Sequence, residues 1–460
     1  MTKFPTKTFK QHLFASVKLG VPLVLMQLTY MLINVTDTIM LGWLGVKELA
    51  AGTLAFQLMF AVFIFGLGIS SALMPLVSSA AGRDDHQAVR RSVRMGLWVL
   101  GMTVMLLMFP MLFGEQILIA FGQDPELSAL AQSYVVIAQW SLIPAFLLTG
   151  LRNFLASLEH TRAILIITIL MALLNAALNY AFIFGNFGAP RMEMQGAAVA
   201  TSIVNLIGFI CIALYVRYSS FCRPYEIFKR LWKPDWSAFL EIIKIGLPIS
   251  LMIFFEAGLF SAAALMIGWI GAIELAAHGI AIQLASVAYM IPLGLSQVAA
   301  VRVANALGRG DPIGIGLAAK AVMLLSLGFA FVSALVFILL PEMLIEFFLT
   351  EEETDAAAVI AYAVPMLFMA AAFQIFDAIQ ISSAGNLRGL KDAKVPMIIA
   401  AFSYWPIGLT SGYVLAFPMG YGGTGVWGGL VIGLAVASVC LTWRFANRER
   451  LGLVKIQVSN

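Results

Sequence analysis

The segments KLGVPLVL (residues 18–25) and GWLGVKELAAGTLAFQ (residues 42–57) return later in the chain as KIGLPISL (residues 244–251) and GWIGAIELAAHGIAIQ (residues 268–283). An offset of 226 residues aligns 18–85 with 244–311 without a gap, and 24 of these 68 positions are identical. Shared apolar composition makes any two such helices look alike. It does not keep Lys18 with Lys244, Pro22 with Pro248, Trp43 with Trp269, Gln57 with Gln283 and Arg83 with Arg309 in one register. The chain is a duplicated unit, and a repeat of this kind decides the architecture before any single motif does.

The composition around the repeat says where the duplicated unit sits. Of 460 residues, 61% are hydrophobic and 11% charged, whereas an ordinary soluble domain is about a quarter charged. A bilayer core of about 30 Å requires roughly 20 apolar residues per crossing helix. Six stretches qualify in the first half, near 15–45, 53–79, 93–113, 130–156, 162–186 and 195–217. Six more follow, near 241–270, 276–305, 316–341, 356–385, 395–416 and 424–446. The expected fold is therefore all-α and polytopic, with twelve transmembrane helices in two six-helix bundles. The N-terminal lobe is expected over 1–217, a cytoplasmic linker over 218–240 and the C-terminal lobe over 241–460. Six crossings is an even number, so both copies enter the membrane from the same side, the parallel form of transporter repeat. The first apolar run follows Lys3, Lys7 and Lys10 and is too long for a cleaved signal peptide, so it is expected to stay as the first helix.

Charge sets the orientation. With both termini in the cytoplasm, 26 of the 28 Lys and Arg residues fall inside and only Lys47 and Arg191 outside, as the positive-inside rule requires. The outer loops take 12 acidic residues, including Glu351, Glu352, Glu353 and Asp355, and the inner side takes 9. The net charge of +4 is spread in short groups between apolar runs, which is a topology signal and not a nucleic-acid surface. Cys211, Cys222 and Cys440 are too widely spaced for a metal site or a disulfide framework.

Three carboxylates remain inside the spans: Asp37, Glu256 and Asp377. A charge at bilayer depth is costly and by default functional. At about 1.5 Å per residue, Glu256 lies roughly 18 Å from Lys244 and Asp377 roughly 16 Å from Arg388, a shared depth near mid-membrane. Asp37 lies roughly 28 Å from Lys18, and Asn179 roughly 26 Å from Arg162 with Asn175 one turn below, a second shared depth. The offset pairs Glu256 with Tyr30, which lies two turns from Asp37 on nearly the same helix face. A desolvated carboxyl favours its protonated form, whereas a bound cation favours the ionised one, so proton and cation compete for such a site. Each acid has a structural alternative, a hydrogen bond to a broken helix or a neighbouring side chain. For the two asparagines that alternative is the common interhelical amide bond.

Other features say less. His278 stands at the outer start of the eighth span, where solvation is expected. No basic residue is expected within the membrane, which counts against the cationic groove of a lipid flippase. The glycine-rich stretches around Gly308 and Gly422 lack the GxxxxGK[ST] pattern of a nucleotide-binding loop, no HExxH occurs, and no Ser and His pairing stands out. An intramembrane enzyme using Glu256 and Asp377 as acid and base is disfavoured by the repeat, and a passive channel stays open as an alternative.

The stretches VTDTIMLG around Asp37, LLNAALNYAFIFG around Asn175 and Asn179, FFEAGLF around Glu256, and QIFDAIQ followed by LRGLKD around Asp377 and Arg388 together resemble the multidrug and toxic compound extrusion (MATE) family, in its NorM-like bacterial branch. The resemblance spans essentially the whole chain. It implies two bundles around a central cavity in a bacterial inner membrane, and efflux of small cationic lipophilic or amphipathic drugs in exchange for Na+ or H+. It also implies a coupling-ion site at Glu256 and Asp377, where Na+ is the candidate metal ion, and a second at Asp37, Asn175 and Asn179. Tyr30, Gln57, Gln283, Tyr404 and Trp405 are candidate cavity-lining residues. The coupling ion apart, no cofactor is implied, nor nucleic acid or an obligate protein partner. A flippase for lipid-linked precursors is the alternative within the same superfamily.

Overall fold

The structure is a computed structural model that describes residues 8–349 and 356–454. Lys3, Lys7 and the acidic run from Glu351 to Asp355 lie outside the described residues. Among the described residues twelve helices are long and apolar enough to cross a membrane. We number them α1 (Phe9–Gly42), α2 (Val46–Gly82), α3 (His86–Met111), α4 (Pro125–Ser157), α5 (Arg162–Phe184) and α6 (Glu193–Tyr218) in the first half. In the second half they are α7 (Trp236–Gly268), α8 (Ala272–Arg309), α9 (Pro312–Leu339), α10 (Ala356–Gly389), α11 (Lys394–Ala416) and α12 (Gly422–Ala446).

All twelve expected spans are present, and several run further than the apolar stretches because their ends are capped in polar sequence. Asp85 accepts from the Ala88 amide at 2.9 Å to start α3, and its repeat partner Asp311 accepts from the Gly314 amide at 2.8 Å to start α9. Such caps satisfy amides that the first helical turn leaves open. The turn before each cap is left-handed in both copies, at Asp84 (φ 60°) and at Gly310 (φ 68°). Those two positions are also 226 apart. The duplicated sequence has kept its turn geometry even where the residue type changed.

By packing, the described chain forms two compact units, Met1–Val24 with Leu251–Asn460, and Leu25–Ser250. Each boundary falls inside a helix, and the two breaks differ by the repeat offset. The first part of α1 therefore belongs with the second half of the chain, and the first part of α7 with the first half. Both helices carry a proline two residues before the break, Pro22 and Pro248, so each lacks one rung of its hydrogen-bond ladder there.

Glycine makes these seats possible. In the first unit Gly20 of α1 faces Leu295 of α8, and Gly294 leaves room for Val24, whose Cα would stand 3.0 Å from any added Cβ. In the second unit Gly246 of α7 faces Ile69 of α2, with 2.8 Å from a Cβ to the Ile69 Cα, and Gly68 abuts the Ser250 backbone. Every member of one set corresponds to a member of the other under the 226 offset. Small residues that admit a neighbouring backbone are the usual basis of helix packing in membranes.

Within the second unit, the segment after α6 folds against the start of α3. Arg90 pairs with Glu226 at 2.7 Å, Arg91 with Asp235 at 2.5 Å, and Trp98 Nε1 donates to the Leu231 carbonyl at 2.9 Å. Hydrogen bonding from Lys229, with Arg90 nearby, holds the Glu226 carboxyl below the usual carboxylate range. His278 is the clear departure from expectation. It is 4% exposed, with its ring 5.8 Å from that of Trp427, because α12 packs over the start of α8 and covers the imidazole.

Candidate functional site

Each unit assembles a carboxylate-bearing polar group inside its apolar packing. In the first unit α7 presents Glu256 to α8, where the Tyr289 hydroxyl donates to it at 3.3 Å. Asp377 of α10 is 3% exposed and within electrostatic reach of Glu256. Gln380 stands one turn further along α10 and donates to the Tyr404 hydroxyl of α11 at 2.7 Å. Tyr404 itself is fully enclosed. Glu256 and Asp377, matched only by depth in the sequence, thus fall into one group with two phenols and an amide.

The backbone of α11 departs from regular geometry at this group. Residues Ser403–Leu409 form a π-helical stretch, a distortion that tends to occur at functional sites because it re-aims side chains. Its Trp405 Nε1 donates to the Phe255 carbonyl at 3.3 Å, next to Glu256 in the chain. Gly258 makes room for that indole, which would lie 2.9 Å from an added Cβ.

In the second unit Asn179 of α5 donates through Nδ2 to Asp37 of α1 and, at 3.3 Å, to Asn175 Oδ1 one turn below. The depth match of these three residues is therefore a direct hydrogen-bonded chain across α1 and α5. Tyr134 of α4 is within electrostatic reach of Asp37. Tyr30, the counterpart of Glu256, takes no part in this chain. It carries the guanidinium of Arg152 over its ring, 5.1 Å from the centroid. Arg152 itself is turned inward by α4 and is 6% exposed. Gln57 and Gln283 are both exposed.

Tyr289, Gln380, Tyr134 and Arg152 escaped the sequence reading. Gln380 was the most accessible, since it follows Asp377 by three residues in QIFDAIQ and so shares its helix face. Tyr289 aligns with Phe63 under the offset, a change from apolar to hydroxyl-bearing ring that falls in the same unit as the two acids. Among the described residues no three His, Cys, Asp or Glu side chains gather as a metal centre.

The MatE family model matches residues 22–181 and 248–414, once in each half of the repeat. The chain belongs to the MatE family. A protein of Rhizobium meliloti named "Probable multidrug resistance protein NorM" is 48% identical over 434 residues, covering 94% of this chain and 93% of the relative. One of the same name from Agrobacterium fabrum is 46% identical over 435 residues, again covering 94% and 93%. Among solved structures, a multidrug resistance MATE family transporter in an outward-facing conformation superposes with a TM-score of 0.87 at 18% identity, covering 98% of this chain and all of that one. A Vibrio cholerae MATE transporter superposes at 0.86 with 19% identity, covering 96% and 98%. At such identities the structures speak for the fold alone. Family and spans together make this MatE protein a multi-pass membrane transporter and not an enzyme.

Proposed function

We propose that this MatE protein exports small lipophilic cations and amphipathic drugs by antiport against Na+ or H+, from a bacterial inner membrane with both termini in the cytoplasm. The sequence halves 1–217 and 241–460, joined by 218–240, are the two functional lobes. The observation that carries the reading is the meeting of Glu256, Asp377 and the Tyr289 hydroxyl within the first unit. Two carboxylates and neutral oxygens form a hard donor set suited to a monovalent cation, and the same carboxyls accept protons when the cation leaves. The names of the relatives from Rhizobium meliloti and Agrobacterium fabrum support drugs as the exported class.

Coupling needs only opposed affinities. An ion entering from outside favours the drug-releasing state if that state binds the ion better, and linkage makes the opposition reciprocal, typically by about 1 to 3 kcal/mol. Asp37 with Asn179 and Asn175 is the corresponding polar group of the second unit, with one carboxylate in place of two.

The test is drug resistance in an efflux-deficient host. Glu256→Gln and Asp377→Asn are each expected to abolish resistance at unchanged protein level in the membrane, and ion fluxes driven by drug in proteoliposomes identify Na+ or H+. Normal resistance in both variants overturns the assignment.

A further inference from the structure

In the first unit α11 and α12 touch backbone to backbone over part of their length. A Cβ added at Gly429 would stand 2.3 Å from the Gly412 Cα, and one at Gly433 would stand 3.0 Å from the Gly408 Cα. Beyond that contact neither helix has a glycine, in 394–407 of α11 or in 434–446 of α12. Side chains hold the two helices apart there, and a cleft of about 300 Å³ opens between them, lined by Val395, Ile399, Val439, Cys440, Trp443 and Arg444. Val439 and Trp443 are 66% and 61% exposed, so the cleft is open at the surface. It lies where α11 begins and α12 ends, which puts its mouth at a membrane boundary, the level at which tryptophan is enriched.

Five of the six lining residues are apolar, and the sixth brings charge to the rim. Arg444 Nε donates to Asp392 Oδ2 at 2.6 Å, a bond that fixes the guanidinium while its terminal nitrogens keep further N–H donors. Lys394 stands exposed beside Val395. Over 391–394 and 444–450 the chain carries Lys391, Lys394, Arg444, Arg448 and Arg450 against only Asp392 and Glu449. The last described residues do not fill the cleft, since Val454 packs with Val303 of α8 and Ala318 of α9. An apolar slot between two spans with a surplus of positive charge at its mouth is complementary to an apolar chain ending in an anion, and basic pockets between membrane helices recognise anionic headgroups in this way.

We propose that this cleft seats an anionic phospholipid, with one acyl chain between α11 and α12 and the phosphate on Arg444 and Lys394. The volume is at the low end of those that hold a ligand, which suits a stretch of acyl chain. A zwitterionic headgroup brings its own cation to face the basic surplus, so an anionic one is preferred. One turn beyond Ile399 the same helix enters its π-helical stretch, Ser403–Leu409, and a seated lipid therefore steadies the helix that aims Tyr404 and Trp405. The site is separate from the coupling acids and stands independently of the efflux reading.

The test is native mass spectrometry of the delipidated full chain in detergent, titrated with phosphatidylglycerol or with phosphatidylcholine of the same acyl chains. Wild-type protein is expected to bind phosphatidylglycerol about tenfold more tightly, the scale of one charge-assisted pair, and to gain more in melting temperature from it. Equal binding of the two lipids overturns the proposal, and this arm needs no variant to fold. Arg444→Gln combined with Asp392→Asn exchanges the ion pair for two neutral amides and is expected to remove most of the preference. Cys440→Phe fills the cleft with every charge in place and is expected to weaken phosphatidylglycerol binding about tenfold or more. Unchanged phosphatidylglycerol affinity in either variant, at a wild-type melting temperature without lipid, overturns the proposal. Glycerol phosphate, which has the anion and no acyl chain, is expected not to displace the lipid. Displacement would make this a site for soluble anions and overturn the lipid assignment.

Discussion

Gly294 receives Val24 so closely that a Cβ on the glycine would stand 2.7 Å from the valine Cγ2. The same relation recurs 226 residues away, where Gly68 meets Ser250. Neither seat has room for a methyl group without moving a backbone. Gly294→Ala and Gly68→Ala are each expected to destabilise the protein by about 1 to 3 kcal/mol, the usual cost of overpacking. Gly101→Ala, with nothing within 4 Å of the added carbon, is expected to be neutral. Melting temperatures of the purified variants in detergent check this. Equal tolerance at Gly294 and Gly101 contradicts the seat.

The chain of Asp37, Asn179 and Asn175 separates packing from transport. Interhelical hydrogen bonds in membranes contribute about 0.6 to 2 kcal/mol, so Asn179→Ala is expected to lower stability by no more than that. If the amide also holds the coupling carboxylate, drug resistance falls far more than stability does. The expected outcome is loss of most resistance with a melting temperature within a few degrees of wild type. Retained resistance with a similar loss of stability would reduce Asn179 to a packing residue.

Much of this was legible in the sequence, for reasons that differ by level. The twelve helices follow from apolar length alone, and the caps at Asp85 and Asp311 explain why α3 and α9 begin before the apolar runs do. Depth along single helices was enough to match Asp37 with Asn179 and Glu256 with Asp377, since all four lie on regular helix at a constant rise. Residues defined by rotation and not by depth escaped. Arg152 reads as one more inner-side positive charge until α4 is seen to turn it inward over Tyr30. His278 reads as interfacial until α12 covers it with Trp427. The π-helical stretch that aims Tyr404 and Trp405 carries Pro406, which marks a break in the helix ladder without saying which side chains the distortion aims.

The segment after α6 is expected to respond to acid. Glu226 is held below the ordinary carboxyl range by Lys229 and Arg90, so it binds fewer protons folded than unfolded. Its contribution to docking is therefore complete above the unfolded value of about 4.3 and is lost as pH falls through the lowered folded value. Hydrogen exchange over residues 219–235 is expected to be flat between about pH 8 and 6 after correction for intrinsic rate, and to accelerate below about pH 4. The effect is small, since both side chains are partly exposed and solvent screens the pair. Acceleration already at pH 6 would point to a different titrating group.

Cys222 reports on the same docking from beneath. It is 1% exposed, and burial pushes its thiol up to about 11, against a weaker opposing bond from Ser219. The thiolate is the reactive form, so at pH 8 a thiol with that value is about a hundredfold less ionised than an ordinary exposed one. Iodoacetamide is therefore expected to modify Cys222 at least about a hundredfold more slowly than a free thiol, since enclosure adds to the loss of thiolate. The rate is expected to rise with pH beyond the point at which ordinary cysteines level off. Arg90→Ala removes the 2.7 Å pair with Glu226 and loosens the segment, so it is expected to speed the reaction at pH 8. Mass spectrometry of the peptide spanning residues 219–229 follows the course. Should Arg90→Ala leave the rate unchanged while Cys222 stays slow, enclosure of the thiol is independent of the Arg90 and Glu226 pair, and the segment is held by its other contacts, Trp98 with Leu231 and Arg91 with Asp235.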